Sequence, residues 1–327
     1  MKGSYRIVVQ NSKIRYDFEI NRNITVIKGD SATGKTTLVE LIREYYEDGE
    51  ESGINLSCEK ECAVLAGRDW ENALKNMKDA ILFIDEGNRF VHSKDFARAI
   101  QKTDNYYVIV TREGLVNLPY SVEEIYGIRE SGKYASTKQI YNEFYRLYGV
   151  KNHSEQIIPS RIIVEDSNSG FDFFDKLSKD QSYEVSSANG KSNIFSEILR
   201  NQDEKTLLVI ADGAAFGAEM ERIMKLVEVR DNLVLYLPES FEGLILKSGI
   251  ITDKEVLSIL EKPQNNIECS AYFSWERFFT ALLIEKTKQS YMQYTKHKLN
   301  SVYLRKRESQ LICEQMRQIN LGVELGK

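Results

Sequence analysis

Residues 29 to 37 read GDSATGKTT and follow the apolar, β-branched run ITVIK. Gly29, four further residues, and then Gly34, Lys35 and Thr36 satisfy the spacing G-x-x-x-x-G-K-[ST]. Glycines at those two places let the backbone curl so that successive N–H groups point inward around an anion. Lys35 would reach the β- and γ-phosphates of a nucleotide, and the Thr36 hydroxyl would hold Mg2+. The following stretch, TLVELIREYY, has apolar residues at helical spacing. A helix from about Lys35 to Tyr45 would add the positive end of its dipole. The expected nucleotide-binding set is therefore Gly29, Asp30, Ser31, Ala32, Thr33, Gly34, Lys35, Thr36 and Thr37, with ATP or GTP as ligand and Mg2+ beside it.

A second element completes such a site. The run ILFIDE places four apolar residues before Asp85 and Glu86. A strand buried on both faces reads as a continuous apolar run, and its carboxyl end opens onto the ligand crevice. There Asp85 would hold Mg2+ and Glu86 would act as general base on the attacking water. The next strand, NYYVIVTRE, ends in Thr111 and Arg112. Arg112 would stabilise charge on the γ-phosphate in cis or across a dimer, or it is an ordinary strand-end arginine. Both readings stand at this point.

The chain has 327 residues, 42% hydrophobic and 28% charged, with a net charge of −5. Such a chain is expected to form about two globular domains. No apolar run reaches the length of a membrane span, and the N-terminus lacks a signal-peptide core. Four cysteines, with Cys58 and Cys62 as the nearest pair and no histidine beside them, are too sparse for a disulfide framework. A reducing cytoplasm is the expected location, with no membrane partner. A negative net charge argues against coating nucleic acid along the whole surface, while leaving room for a local basic patch.

Strands alternate with helices over the first 150 residues, which indicates a mostly parallel α/β sheet. The polar stretch YGVKNHSEQIIPS marks a boundary. A second α/β series follows, with strands RIIVED, YEVSS, TLLVIADG and NLVLYLPES separated by helical stretches. From about Asp253 the pattern is mainly helical. The expected fold class is α/β: a P-loop NTPase parallel sheet over residues 1–150, a Toprim/Rossmann-like α/β domain over 161–260, and a helical basic C-terminal segment over 261–327.

The first 150 residues resemble the additional-strand class of P-loop ATPases. The L-S-G-G-Q-like signature that transporter-type and SMC-type members carry before the Asp-Glu strand is absent, and DWENALKNMKD stands there. In the second series, Glu165 and Asp166 follow one apolar strand and Asp212 follows another. Two such carboxylates can converge on one Mg2+, which takes only one or two protein carboxylates. The order of glutamate-ended strand, glycine-opened helix and aspartate-ended strand resembles a Toprim domain. An ATPase followed by a Toprim domain is the arrangement of the OLD-type nucleases, some of which act in defence against phages. That resemblance implies that Glu165 and Asp212 are metal ligands that assist phosphodiester cleavage. The family's D-x-D is here Asp212-Gly213-Ala214, so a third acid would have to come from Glu219, Glu239 or Glu242.

Residues 284–307 carry seven Lys/Arg against one Glu, with Tyr291, Tyr294 and Tyr303 interleaved. The basic groups would neutralise nucleic-acid phosphates and the tyrosines would stack on bases. Alternatively the stretch is a solvated helical face whose tyrosines pack inward. Two functions follow. One is an ATPase whose nucleotide state gates a metal-dependent Toprim-like nuclease. The other is a nucleotide-dependent switch or assembly protein, in which a non-catalytic Toprim-like half docks a protein partner or a second copy.

Overall fold

A computed structural model describes residues 1–29, 34–132, 139–149, 156–179 and 181–322. The chain divides into two compact units, the first formed by 1–149 with 262–274 and the second by 150–261 with 275–327. The segment expected to stand apart as 261–327 is thus shared between them.

The first unit contains β1 (Tyr5–Gln10), β2 (Ile14–Ile20), β3 (Ile24–Ile27), α1 (Lys35–Asp48), β4 (Asn55–Ser57), β5 (Glu61–Val64), α2 (Trp70–Asn76), β6 (Ala80–Ile84), α3 (Lys94–Ile100), β7 (Tyr106–Val110), β8 (Ile125–Glu130) and β9 (Ile140–Arg146). The strands form one nine-stranded sheet in the order β4-β1-β2-β9-β8-β3-β7-β6-β5. From β8 to β5 every neighbouring pair is parallel. These are the apolar runs of the sequence, and β3, β6 and β7 are buried along their whole length. On the far side of β8 the sheet becomes mixed, which corrects the expectation of a parallel sheet. The reason is three antiparallel pairs, β1 with β2, β1 with β4 and β8 with β9. The first is closed by the Asn11 side chain, whose Oδ1 accepts from the N–H of Lys13 and of Ile14 at 2.9 and 3.0 Å and so fixes a tight turn. Helix α1 lies on the sheet through buried Leu38, Val39, Leu41 and Ile42.

The second unit contains β10 (Arg161–Val164), α4 (Ser169–Ser178), β11 (Glu184–Ser187), α5 (Lys191–Arg200), β12 (Leu207–Ile210), α6 (Met220–Val229), β13 (Leu233–Tyr236), α7 (Phe241–Lys247), α8 (Lys254–Glu261), α9 (Trp275–Thr287) and α10 (Lys306–Glu314). Its four strands are all parallel, in the order β11-β10-β12-β13. The chain moves outward from β10 to β11 and then returns to the other side at β12. That reversal opens a crevice at the carboxyl ends of β10 and β12. Phe173, Phe174 and Phe241 pack beneath it with ring centroids 5.2 to 6.1 Å apart. Among the described residues no helix is long and apolar enough to cross a membrane.

Candidate functional site

In the first unit, β3 delivers Lys28 and Gly29 to the carboxyl edge of the sheet, and Gly34 opens α1. Gly29 and Gly34 have φ of 135° and 85°, a region open to glycine and strained for other residues. Gly34 is needed for a second reason. A Cβ there would stand 2.6 Å from the Tyr16 hydroxyl. That hydroxyl donates to the Gly34 carbonyl at 2.7 Å, and burial holds its pKa up at about 12, so it stays a donor. The Lys35 side chain is buried and its Nζ donates to the Gly29 carbonyl at 2.8 Å, bridging the two ends of the loop. Thr36 is exposed and Thr37 half-buried in the first turn of α1. Asp30, Ser31, Ala32 and Thr33 lie outside the described residues.

The register aligns Ile27 with Val110 and Ile84 with Ile109, so β3, β7 and β6 end at one edge. Only β7 lies between the strand of Gly29 and the strand of Asp85. The two ends are therefore about 10 Å apart, twice the spacing of hydrogen-bonded strands. Asp85 is half-buried, and its Oδ1 accepts from the Glu86 N–H at 2.9 Å. Its backbone carbonyl accepts from the N–H of Asn88 at 3.2 Å and from its side chain at 3.0 Å, so the Asp-Glu pair sits on a closed turn. Glu86 is exposed and pairs with Arg112, Oε1 to Nε 2.6 Å. The structure thus joins the expected base to the expected charge stabiliser. Thr111 is buried between β3 and the turn after β7, with its N–H on the Ile27 carbonyl at 3.1 Å.

In the second unit, Glu165 and Asp212 leave the ends of the adjacent strands β10 and β12 and meet. Oε2 of Glu165 accepts from the Asp212 N–H at 3.0 Å. A cavity of about 20 Å³ lies against both acids and Asp166, with Phe174, Phe241 and Leu244 among its walls. That is room for a single water. Burial pushes the Glu165 carboxyl up to about 7, although the Asp212 N–H and Lys191 pull the other way. Asp212 is raised as well, by burial first and then by the carboxylates of Glu276, Glu165, Glu242 and Asp166. Asp166 turns aside to cap α4, accepting from the Phe171 N–H at 3.1 Å.

The three acids weighed as a third ligand separate here. Glu242 is buried at the start of α7, raised by burial, and receives the Tyr294 hydroxyl at 2.9 Å. Glu219 is buried and ion-paired to Arg222. Glu239 supplies its backbone carbonyl to the Ala214 N–H at 3.3 Å. Among the described residues, no three Asp, Glu, His or Cys side chains gather as a metal cage. Glu165 and Asp212 are thus a pair of acids beside a cavity with room for one water.

Two residues of this centre were not foreseen in it. Glu276, in the first turn of α9, acts on both Glu165 and Asp212. Lys296, assigned from sequence to a nucleic-acid strip, instead points inward and holds Glu276, Nζ to Oε1 2.6 Å. The rest of that strip is divided. Tyr294 and Tyr303 are buried, Lys286 pairs with Asp253 and Glu255, and the helix ends at Thr287. Tyr291, Lys288, Lys298, Arg305, Lys306 and Arg307 stay exposed. The tyrosines that would have stacked on bases are, in two of three cases, core.

Comparison with family models, with curated proteins and with solved structures returns no match for this chain.

Proposed function

We propose that the first unit binds ATP or GTP with Mg2+ and hydrolyses it. The observation that carries this is one sheet edge: the Gly29–Gly34–Lys35 loop ends β3, Asp85–Glu86 ends β6, and the single intervening strand ends in Thr111–Arg112. Lys35 would exchange the Gly29 carbonyl for a phosphate oxygen. Thr36 and Asp85 would hold Mg2+, which when bound neutralises the phosphate charge. Glu86 would take a proton from the attacking water, and Arg112, already beside it, would face the charge that develops. Replacing Glu86 with Gln keeps shape and hydrogen bonding and removes the base. Steady-state phosphate release should then fall about 10²-fold or more while nucleotide binding persists. Turnover equal to the unaltered protein would remove Glu86 from this role.

For the second unit, we propose that Glu165 and Asp212 hold one Mg2+ or Mn2+ in a Toprim-like crevice that acts on nucleic acid. A second reading makes this half a docking module driven by the nucleotide state. The gathering of only two carboxylates, with no third acid in the place of Ala214, favours that second reading over two-metal cleavage.

A further inference from the structure

The backbone ladder between β5 and β6 reaches Leu65, whose N–H donates to the Phe83 carbonyl at 2.9 Å. Beyond it, the segments that leave the two strands are joined through the Asn88 side chain. Its Oδ1 accepts from the Gly67 N–H at 3.1 Å, and its Nδ2 donates to the Asp85 carbonyl at 3.0 Å. The same carbonyl takes the Asn88 N–H at 3.2 Å. An amide both donates and accepts, and a backbone N–H on one side with a carbonyl on the other fixes which way it faces.

The turn closed in this way, Asp85 to Asn88, carries Glu86 and Gly87, both exposed, and a Cβ on Gly87 would meet nothing within 4 Å. Little packing holds the turn, so its shape depends on hydrogen bonds. On the side of β7, Arg112 pairs with Glu86 at 2.6 Å, and Nδ2 of Asn117 donates to the His92 carbonyl at 2.7 Å. Side chains thus cross-link the segments that follow β5, β6 and β7 at the edge proposed to take the nucleotide.

Position decides what a general base is worth. It must stand within hydrogen-bond reach of the proton it takes, and a displacement of about 1 Å can cost about 10²-fold in rate. Both ends of the Asn88 amide are engaged by backbone groups, so its influence on chemistry runs through the turn. We infer that Asn88 is a positioning residue for hydrolysis: it ties the Asp85–Glu86 turn to the segment leaving β5 and so fixes where the Glu86 carboxylate meets the attacking water. This rests on the hydrolytic reading of Glu86 proposed above.

The test is a double-mutant cycle between Asn88 and Glu86, read as steady-state phosphate release by the full chain with Mg2+ and ATP. Asn88→Leu keeps the size of the side chain, adds no charge and removes both bonds. It should lower kcat about tenfold or more, while affinity for a non-hydrolysable ATP analogue stays within about twofold. Asn88→Ala should lower kcat at least as far, and it covers the case in which the leucine variant fails to fold. In a Glu86→Gln background neither change should lower the residual rate further, because the group being positioned is gone. An asparagine that merely supported the fold would lower the rate by the same factor in both backgrounds. Unchanged kcat in a folded Asn88 variant, a fall matched by an equal loss of analogue affinity, or equal factors in the two backgrounds overturns this inference and leaves the role of Glu86 intact. Glu86→Gln turning over like the unaltered protein overturns both.

Discussion

Glu165 is half-buried at the end of β10, with a carboxyl raised from 4.5 to about 7 by desolvation. In the folded chain it therefore keeps its proton over a range where the unfolded chain has lost it. The folded state binds more protons between those values, so its stability falls as pH rises from about 4.5 to 7 and stays low above. The size of this contribution is about 3 kcal/mol, at 1.36 kcal/mol for each unit of pKa. Denaturant unfolding of the metal-free protein should show a loss between pH 5 and pH 8, which Glu165→Gln should lessen but not abolish, because burial raises Asp166, Asp212 and Glu242 as well. The paired acids Asp17 and Glu204 have lowered values and lose their contribution only at more acidic pH, below this window. A divalent ion should reverse the loss at pH 8 by stabilising the ionised form. An unchanged pH profile in Glu165→Gln would place the titration elsewhere.

At the scale of elements, the entry to α1 is specified at Gly34 by both backbone and packing. Gly34→Ala must adopt a left-handed backbone and also meet the Tyr16 hydroxyl. A cost of about 1–3 kcal/mol is expected from the backbone alone. Adding Tyr16→Phe removes the hydroxyl contact and should restore only the remainder, so the double variant should melt between Gly34→Ala and the unaltered protein. Full recovery in the double variant would show that the clash, not the backbone, dominates. The elements most legible in the sequence were the wholly buried strands. β3, β6, β7 and β12 are buried along their whole length, and the residues after them included Gly34, Lys35, Asp85 and Asp212; β10, buried but for its first residue, led to Glu165. β8 and β9 were not legible. β9 reads IYNEFYR with several half-exposed positions, and β8 is interrupted by Gly127. That glycine is needed because the Tyr145 ring occupies the space its Cβ would take. Glu276 and Lys296 carried no periodic signal either. Their place in the centre depends on a loop bonded to Ser169 and Glu242, more than 50 residues away in each case.

Across the whole molecule, the return of residues 262–274 to the first unit was equally hidden, because its bonds reach far back along the chain. The Gly3 N–H donates to the Gln264 carbonyl at 2.8 Å, and the Asn23 side chain to that of Phe273 at 3.0 Å. The two proposed sites belong to different units, which gives a mapping experiment. In hydrogen exchange, a Mg2+–nucleotide complex should protect amides around Gly29, the first turn of α1 and the ends of β6 and β7. Mn2+ without nucleotide should protect amides near Glu165, Asp212 and the start of α4. At a hundred times its dissociation constant, either ligand should stabilise the unit it binds by about 2.7 kcal/mol. Protection by nucleotide confined to the second unit would contradict the assignment. The central claim, that the loop before α1 is a nucleotide site, is tested most directly by calorimetric titration of a non-hydrolysable ATP analogue with Mg2+ into the full chain and into Lys35→Ala. The account predicts one site per chain, weakened about 10- to 100-fold by loss of the charged hydrogen bond. No binding to the unaltered protein, or equal affinity in Lys35→Ala, would contradict it.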